Sequence, residues 1–232
     1  MLVASAAPKR ARKSRDCAVS HAMAMIPTAW GLCGVAWTNA NERCEPFAEK
    51  PEGARLSCII APGLSAAELR RQLLKRFPGC SEVMGDGHGH FHPEIVPEWM
   101  PELVQFLQRY YSAALKDWSV PECEENWSFW KTRLDWSQLT PFQHQVLEVV
   151  ACIPSGTKMS YGQVARRCGK PAASRAVGAA VGNNPWPVLV PCHRVVGSTG
   201  KLTGFSAPGG IEAKKRMLEL EGDGLWGNGA QA

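Results

Sequence analysis

No stretch of about 18 consecutive apolar residues occurs in this 232-residue chain, so nothing in it has the length to cross a bilayer as a helix. The first 25 residues also lack the apolar core of a secretion signal; they hold Lys9, Arg10, Arg12, Lys13 and Arg15 against a single acid, Asp16. That composition predicts a disordered basic tail over residues 1–25, with Met23 or Met25 an equally good translation start. The nine cysteines have neither an even count nor regular spacing. A disulfide framework is therefore not expected, and a reducing compartment is: the cytoplasm, or the nucleus of a eukaryotic source.

What is present is unevenly distributed. The formal net charge is +5, but residues 26–139 carry 11 Lys and Arg against 15 Asp and Glu, while residues 140–232 carry 10 against 5. A basic C-terminal part beside an acidic N-terminal one suits phosphate binding by the former, although an ordinary solvated surface would look the same by charge alone. Length and the composition shift near residue 136 predict two domains. The first, residues 26–135, reads as small and mixed: strands at 30–37 and 56–61, and helices at 65–77 and 97–111 whose apolar stripes run through Leu69 and Leu73 and through Trp99, Leu103, Phe106 and Leu107. His88, His90 and His92 would share one side of an extended segment, yet a polar Gly/His loop is the better account, and no metal is expected.

The second domain, residues 136–224, is punctuated by helix signals, and residues 225–232 read as a flexible C-terminus. Thr140 as N-cap, Pro141 at the first position and Gln143 form a capping box, with Phe142, Val146, Val149 and Val150 on one face. Ile153-Pro154-Ser155-Gly156 stops that helix. Ser160 with Gln163 opens a second helix through Cys168, and Gly169-Lys170-Pro171 turns the chain into a third ending at Gly182. Helix, short turn, helix is a DNA-binding arrangement. Its second helix, however, offers Ala172, Ala173, Ala176, Gly178, Ala179 and Ala180 where a major-groove reader would carry Asn, Gln or several Arg. Such a surface can lie close in a narrow groove; small residues would equally permit tight helix packing. Arg175 stands nearly alone on it as a long cation.

Chemistry points to Pro191-Cys192-His193-Arg194-Val195, which follows the apolar run Val188-Leu189-Val190, read as a short buried strand. A thiolate forms only where a base or a positive field lowers the thiol pKa. Neighbours in sequence rarely face each other, so proton transfer from Cys192 to His193 would need a bridging water. A lone buried cysteine is otherwise an inert small hydrophobe.

Eight ordered segments make the second domain resemble the O6-alkylguanine-DNA alkyltransferases, also called methylated-DNA–protein-cysteine methyltransferases. They are Thr140-Pro141-Phe142-Gln143, Ile153-Pro154-Ser155-Gly156, Ser160-Tyr161-Gly162-Gln163-Val164-Ala165, Ser174-Arg175-Ala176-Val177-Gly178, Gly182-Asn183-Asn184-Pro185, the Cys192 motif, Gly204-Phe205-Ser206 and Leu220-Glu221-Gly222. The resemblance implies an α+β fold: a ribonuclease-H-like mixed domain, then a mostly helical, winged-helix-like domain containing the helix-turn-helix.

It also implies a repair protein that flips O6-alkylguanine, and O4-alkylthymine, out of duplex DNA and moves the alkyl group irreversibly onto Cys192, once per molecule. By the same resemblance Arg175 fills the vacated stack, Gly178 and Ala179 face the minor groove, and Tyr161 crowds the target phosphate and protonates the leaving base. The Val190 and Cys192 carbonyls accept from the guanine amino group; Phe205 walls the pocket; the Ser206 amide donates to the oxygen that bore the alkyl group. Asn184 braces the turn before the active-site loop. Glu221 orients His193, which activates Cys192 through water. Many relatives carry Tyr at the position of Phe205, so one hydroxyl is missing here. No cofactor, metal or soluble methyl donor is expected; the partner is double-stranded DNA carrying O6-alkylguanine, and the protein is expected to be a monomer away from membranes.

Three other classes compete with this one. A non-catalytic lesion binder of the same fold would lack the nucleophile, and a transcription factor would need base-reading side chains. A cysteine hydrolase would need a remote His and an oxyanion hole and would act without DNA.

Overall fold

Strand β1 (His21–Thr28) turns through Ala29 and Trp30 into β2 (Gly31–Thr38), where the Thr28 hydroxyl donates to the Gly31 carbonyl at 2.6 Å and Gly31 takes φ 113°. These coordinates belong to a computed structural model that describes residues 20–38, 53–112 and 123–222. β2 pairs antiparallel with β3 (Arg55–Ile60), and β1 pairs parallel with the short β4 (Ser81–Glu82), giving the order β3-β2-β1-β4. The strand expectations at 30–37 and 56–61 hold. The tail does not end at residue 25: His21 to Met25 lie in β1, a central strand, while residues 1–19 lie outside those described.

Both faces of the sheet are covered, which the two-residue alternation of strand side chains makes possible. Met23, Ala36 and Cys58 meet Leu73 of α1 (Ala66–Arg76), whose N-cap Ser65 accepts from the Glu68 amide. At Gly34 a Cβ would stand 3.2 Å from Leu73 and 3.3 Å from Leu69, so the missing side chain lets the helix approach closely. Ala22, Ala24, Ile26, Cys33, Val35 and Trp37 pack on the other side, in one apolar cluster with α2 (Met100–Tyr111) and with the C-terminal helices. α3 (Cys123–Lys131), which the sequence pattern did not announce, adds Trp130 to that cluster.

The C-terminal part comprises α4 (Pro141–Ala151), β5 (Met159–Ser160), α5 (Tyr161–Arg167), α6 (Ser174–Gly182), β6 (Val195–Val196) and α7 (Gly210–Leu220), with β5 and β6 paired in parallel. Both capping boxes form, Thr140 with Gln143 and Ser160 with Gln163. The two parts join at the open edge of β3. The Leu56 amide donates to Arg133 at 2.7 Å, the Leu56 carbonyl accepts from Asp135 at 3.0 Å and from the Trp186 indole at 2.8 Å, and the Ile59 amide donates to Pro185 at 2.8 Å. Those bonds occupy donors and acceptors that an exposed edge would offer to another chain.

Residues 188–190 are buried but are not a strand. Val188 adopts φ 77°, and the segment forms a loop between prolines 185, 187 and 191, none of which has an amide proton for a ladder. Among the described residues no helix is long and apolar enough to cross a membrane.

Candidate active site

The loop carrying Cys192 is held at both ends by one side chain. Asn184, just past the end of α6, donates Nδ2–H to the Val190 carbonyl at 2.8 Å and accepts from the Trp186 amide at 3.0 Å; the Val190 amide donates to Trp186 at 2.9 Å. Inside this closed loop a β-branched residue, Val188, holds a left-handed conformation that costs about 1–3 kcal/mol and persists only because its surroundings fix it. Asn184 therefore braces the turn, as expected.

After Pro191 the chain makes a single 3-10 turn, Cys192–Arg194, and all three side chains are buried. Burial pushes the Cys192 thiol up; the Asn184 side chain, the Lys214 ammonium and the amides of Cys192 and His193 pull it back. Lys214, on α7, is itself 1% exposed and donates to the carbonyls of Val195 at 2.6 Å and Thr203 at 3.3 Å. A buried ammonium in the field of a buried thiol favours the thiolate.

His193 is fully buried, and its Nε2 lies 2.8 Å from Oε1 of Glu221, at the C-terminus of α7. Arg194 grips the same carboxylate twice, Nε to Oε2 at 2.8 Å and Nη2 to Oε1 at 2.7 Å. Burial alone would raise the Glu221 pKa, but His193 and Arg194 outweigh it and hold the group at about 2. The carboxylate can only accept, so Nε2 carries the proton and Nδ1 keeps its lone pair. Nδ1 is buried with no hydrogen-bond partner. Burial, with the charges of Arg194 and Lys214, lowers the imidazole pKa despite Glu221, so the ring is neutral near pH 7 and able to take a proton.

The pocket wall comes from the segment between β6 and α7. Phe205 is half-buried with the Lys214 ammonium 5.9 Å from its ring centre, and the Ser206 hydroxyl donates to the Gly182 carbonyl at 2.7 Å. Tyr161, at the start of α5, accepts from the Thr203 hydroxyl at 3.4 Å, so its own proton is free for another acceptor. The Val190 carbonyl already accepts from Asn184 and from the Cys192 amide at 2.8 Å, which uses both lone pairs. The Cys192 carbonyl accepts from the Val195 amide and has capacity left.

On α6 and the turn before it, Ala172, Arg175, Ala176, Ala179 and Asn183 are exposed at helical spacing, while Val177, Ala180 and Val181 are buried. Gly178 does not share the outer face with Ala179. A Cβ there would point at the Tyr161 ring, 3.8 Å away. Among the described residues no cluster of three or more His, Cys, Asp and Glu could hold a metal ion; His88, His90 and His92 are exposed, with His90 Nδ1 2.7 Å from Asp86.

Three residues of the site carried no role in the sequence reading. Lys214 could have been found, because it occupies a buried position of the α7 stripe with Met217 and Leu218. Arg194 lies within the Cys192 motif. Tyr110, on α2, places its hydroxyl 3.1 Å from both His193 Nε2 and Glu221 Oε1, and nothing in its local pattern announces that contact.

Residues 141–223 match the family described as "6-O-methylguanine DNA methyltransferase, DNA binding domain". A methylated-DNA–protein-cysteine methyltransferase of Salmonella typhimurium is 51% identical over 83 residues, which are 36% of this chain and 47% of that protein. The chain thus spans about half the length of such curated relatives. The protein of the same name from Methanosarcina acetivorans is 38% identical over 125 residues, 54% of this chain and 70% of the relative. The crystal structure of Mycobacterium tuberculosis OGT in complex with DNA superposes with a TM-score of 0.55 at 27% identity, covering 86% of this chain and 91% of that one. With the Cys192, His193 and Glu221 constellation in place and a relative matched over most of its length, the chain belongs to the methylated-DNA–protein-cysteine methyltransferase family.

Proposed function

We propose that this protein repairs DNA by moving an alkyl group from O6 of a flipped guanine to the sulfur of Cys192, once per molecule. The observation that carries the reading is the His193 ring, whose Nε2 is fixed on Glu221 and whose Nδ1 is a buried lone pair without a partner, next in sequence to a buried thiol. His193 takes the thiol proton through one water. The thiolate attacks the alkyl carbon, an S–C bond forms, the C–O6 bond breaks, and the guanine leaves as an anion. Tyr161 supplies a proton to the departing base, consistent with a hydroxyl that only accepts from Thr203. The thioether has no good leaving group, which makes the transfer terminal.

The target would reach Cys192 by extrusion, since the alkylated oxygen is inaccessible inside a stacked duplex. The exposed face of Ala172, Ala176 and Ala179 is small enough for the minor groove, and Arg175 projects from it to fill the vacated stack. The Cys192 carbonyl is the stronger acceptor for the guanine amino group, because the Val190 carbonyl is already doubly bonded. Phe205 and the Ser206 amide complete the pocket. The sheet, three antiparallel strands with β4 parallel to β1, supports a ribonuclease-H-like N-terminal domain, and the β5–β6 pair beside the helix-turn-helix supports a winged arrangement, with a division near residue 136.

Mixing the protein with a duplex holding one isotope-labelled O6-methylguanine tests this. Intact mass should rise by one methyl per molecule, and peptide mapping should place it on Cys192; Cys192→Ser should bind the duplex and transfer nothing. Repeated turnover, or label on exposed Cys152 alone, would refute the reading.

A further inference from the structure

We propose that Tyr110 is a positioning residue for alkyl transfer: it donates its hydroxyl proton to Glu221 and accepts from Nε2–H of His193, and so holds the imidazole in the tautomer and orientation that present Nδ1 to Cys192. This rests on the reading of Cys192 as acceptor. Three contacts close a triangle around one carboxylate oxygen: Tyr110 Oη to Glu221 Oε1 at 3.1 Å, Tyr110 Oη to His193 Nε2 at 3.1 Å, and His193 Nε2 to Glu221 Oε1 at 2.8 Å.

Only one distribution of protons satisfies the triangle. If the phenol donated to Nε2, that nitrogen would carry a lone pair and face the carboxylate as acceptor against acceptor at 2.8 Å. The phenol proton therefore goes to Glu221, and the phenol oxygen, with Oε1, receives Nε2–H. Burial and the neighbouring Glu221 charge push the Tyr110 pKa well above its ordinary value, so the hydroxyl remains a donor at any working pH.

The ring is fixed as firmly as its hydroxyl. Tyr110 is 3% exposed, its ring stands edge-on to the Tyr111 ring at 5.1 Å, and it meets the imidazole at 6.0 Å and 61°. Glu221 alone could hold Nε2 from one side. A second acceptor fixes the ring plane, which decides where the Nδ1 lone pair points, and such outer partners set how well a base works. Tyr110 belongs to α2, which packs on the sheet, so the N-terminal part contributes to the chemistry of a nucleophile carried by the C-terminal part.

The test is Tyr110→Phe in the full chain, which keeps the ring and deletes one oxygen. Single-turnover transfer from free O6-benzylguanine should slow about tenfold at the pH plateau, the scale of one hydrogen bond to a charged group. The acid limb of the pH–rate profile should move to lower pH, because the phenol oxygen facing Nε2–H favours the imidazolium. A purely structural hydroxyl would change the melting temperature and leave both limb and plateau in place. A folded Tyr110→Phe with the wild-type plateau and limb overturns the proposal. Independently of whether that variant folds, ring nitrogen-15 spectra of His193 in the wild type should show the Nε2–H tautomer, and an Nδ1–H tautomer also overturns it. If the wild type leaves Cys192 unalkylated, the functional reading has failed instead.

Discussion

At Glu221 three donors converge on one carboxylate beside a buried imidazole, and the carboxylate held ionised and the imidazole held neutral should both make the protein sensitive to acid. His193 has a folded pKa below its ordinary 6.5, so between those values the unfolded chain binds a proton that the folded one refuses, and stability falls as pH drops. Glu221 adds a second loss in the same direction, beginning below its ordinary 4.5 and running toward about 2. Both contributions are complete above about pH 6.5 and neither reverses sign at lower pH. The urea midpoint should therefore decline from about pH 6.5 downward, and His193→Gln should flatten the first part of that decline, just below about pH 6.5. Equal slopes in the two proteins would mean that His193 is not the group titrating there. The family resemblance, not the local motif, made Cys192, His193 and Glu221 readable as a set. It could not reveal Tyr110, because a tyrosine on an apolar helical stripe looks the same whether its hydroxyl meets water or a carboxylate.

Among the elements, α6 shows how far a pattern of small residues can be read. Ala172, Arg175, Ala176 and Ala179 are exposed, as a groove-facing surface would require, whereas a Cβ at Gly178 would point at the Tyr161 ring. Ala179→Leu should keep the helix, since Leu is a good helix former, and weaken duplex binding at least tenfold by forcing the helix out of a narrow groove. Transfer from free O6-benzylguanine should be unaffected. Arg175→Ala should likewise slow reaction with duplex far more than with the free base, because unstacking of a few kcal/mol is no longer offset. Normal duplex binding by a folded Ala179→Leu would show that this face does not enter the groove. The starts of α4 and α5 were legible because Thr140 and Ser160 each announce a capping box by local chemistry. Residues 188–190 depart from the strand expectation for the converse reason: Val-Leu-Val has strand composition, but the flanking prolines and the Asn184 brace decide its conformation, and neither is a property of the run itself.

For the molecule as a whole, the decisive element is the one that composition hid. The first five residues of β1 fall within the expected tail because the run His-Ala-Met-Ala-Met-Ile is buried on both faces and so shows no polar alternation. Yet it lies between β2 and β4, and Ala22, Met23 and Ala24 each leave no more than 4% of their surface exposed. β1 also touches the face on which α2 packs, and α2 brings Tyr110 to His193, so a defect in this strand reaches the active site through two layers of contact. The basic segment before residue 20 lies outside the described residues and carries none of the segments that match the alkyltransferase motif. A chain beginning at Ser20 should transfer an alkyl group at the full-length rate once bound, with any loss of DNA affinity dependent on salt rather than sequence. A chain beginning at Met25 loses four strand residues, their ladder bonds to β2 and β4, and the burial of Met23. The loss should exceed about 3 kcal/mol in urea unfolding, from one buried methionine and several ladder hydrogen bonds. Transfer to free O6-benzylguanine should fall in proportion to the fraction folded. Full stability and rate in the chain beginning at Met25 would mean that β1 is not required to hold α2 against the active site.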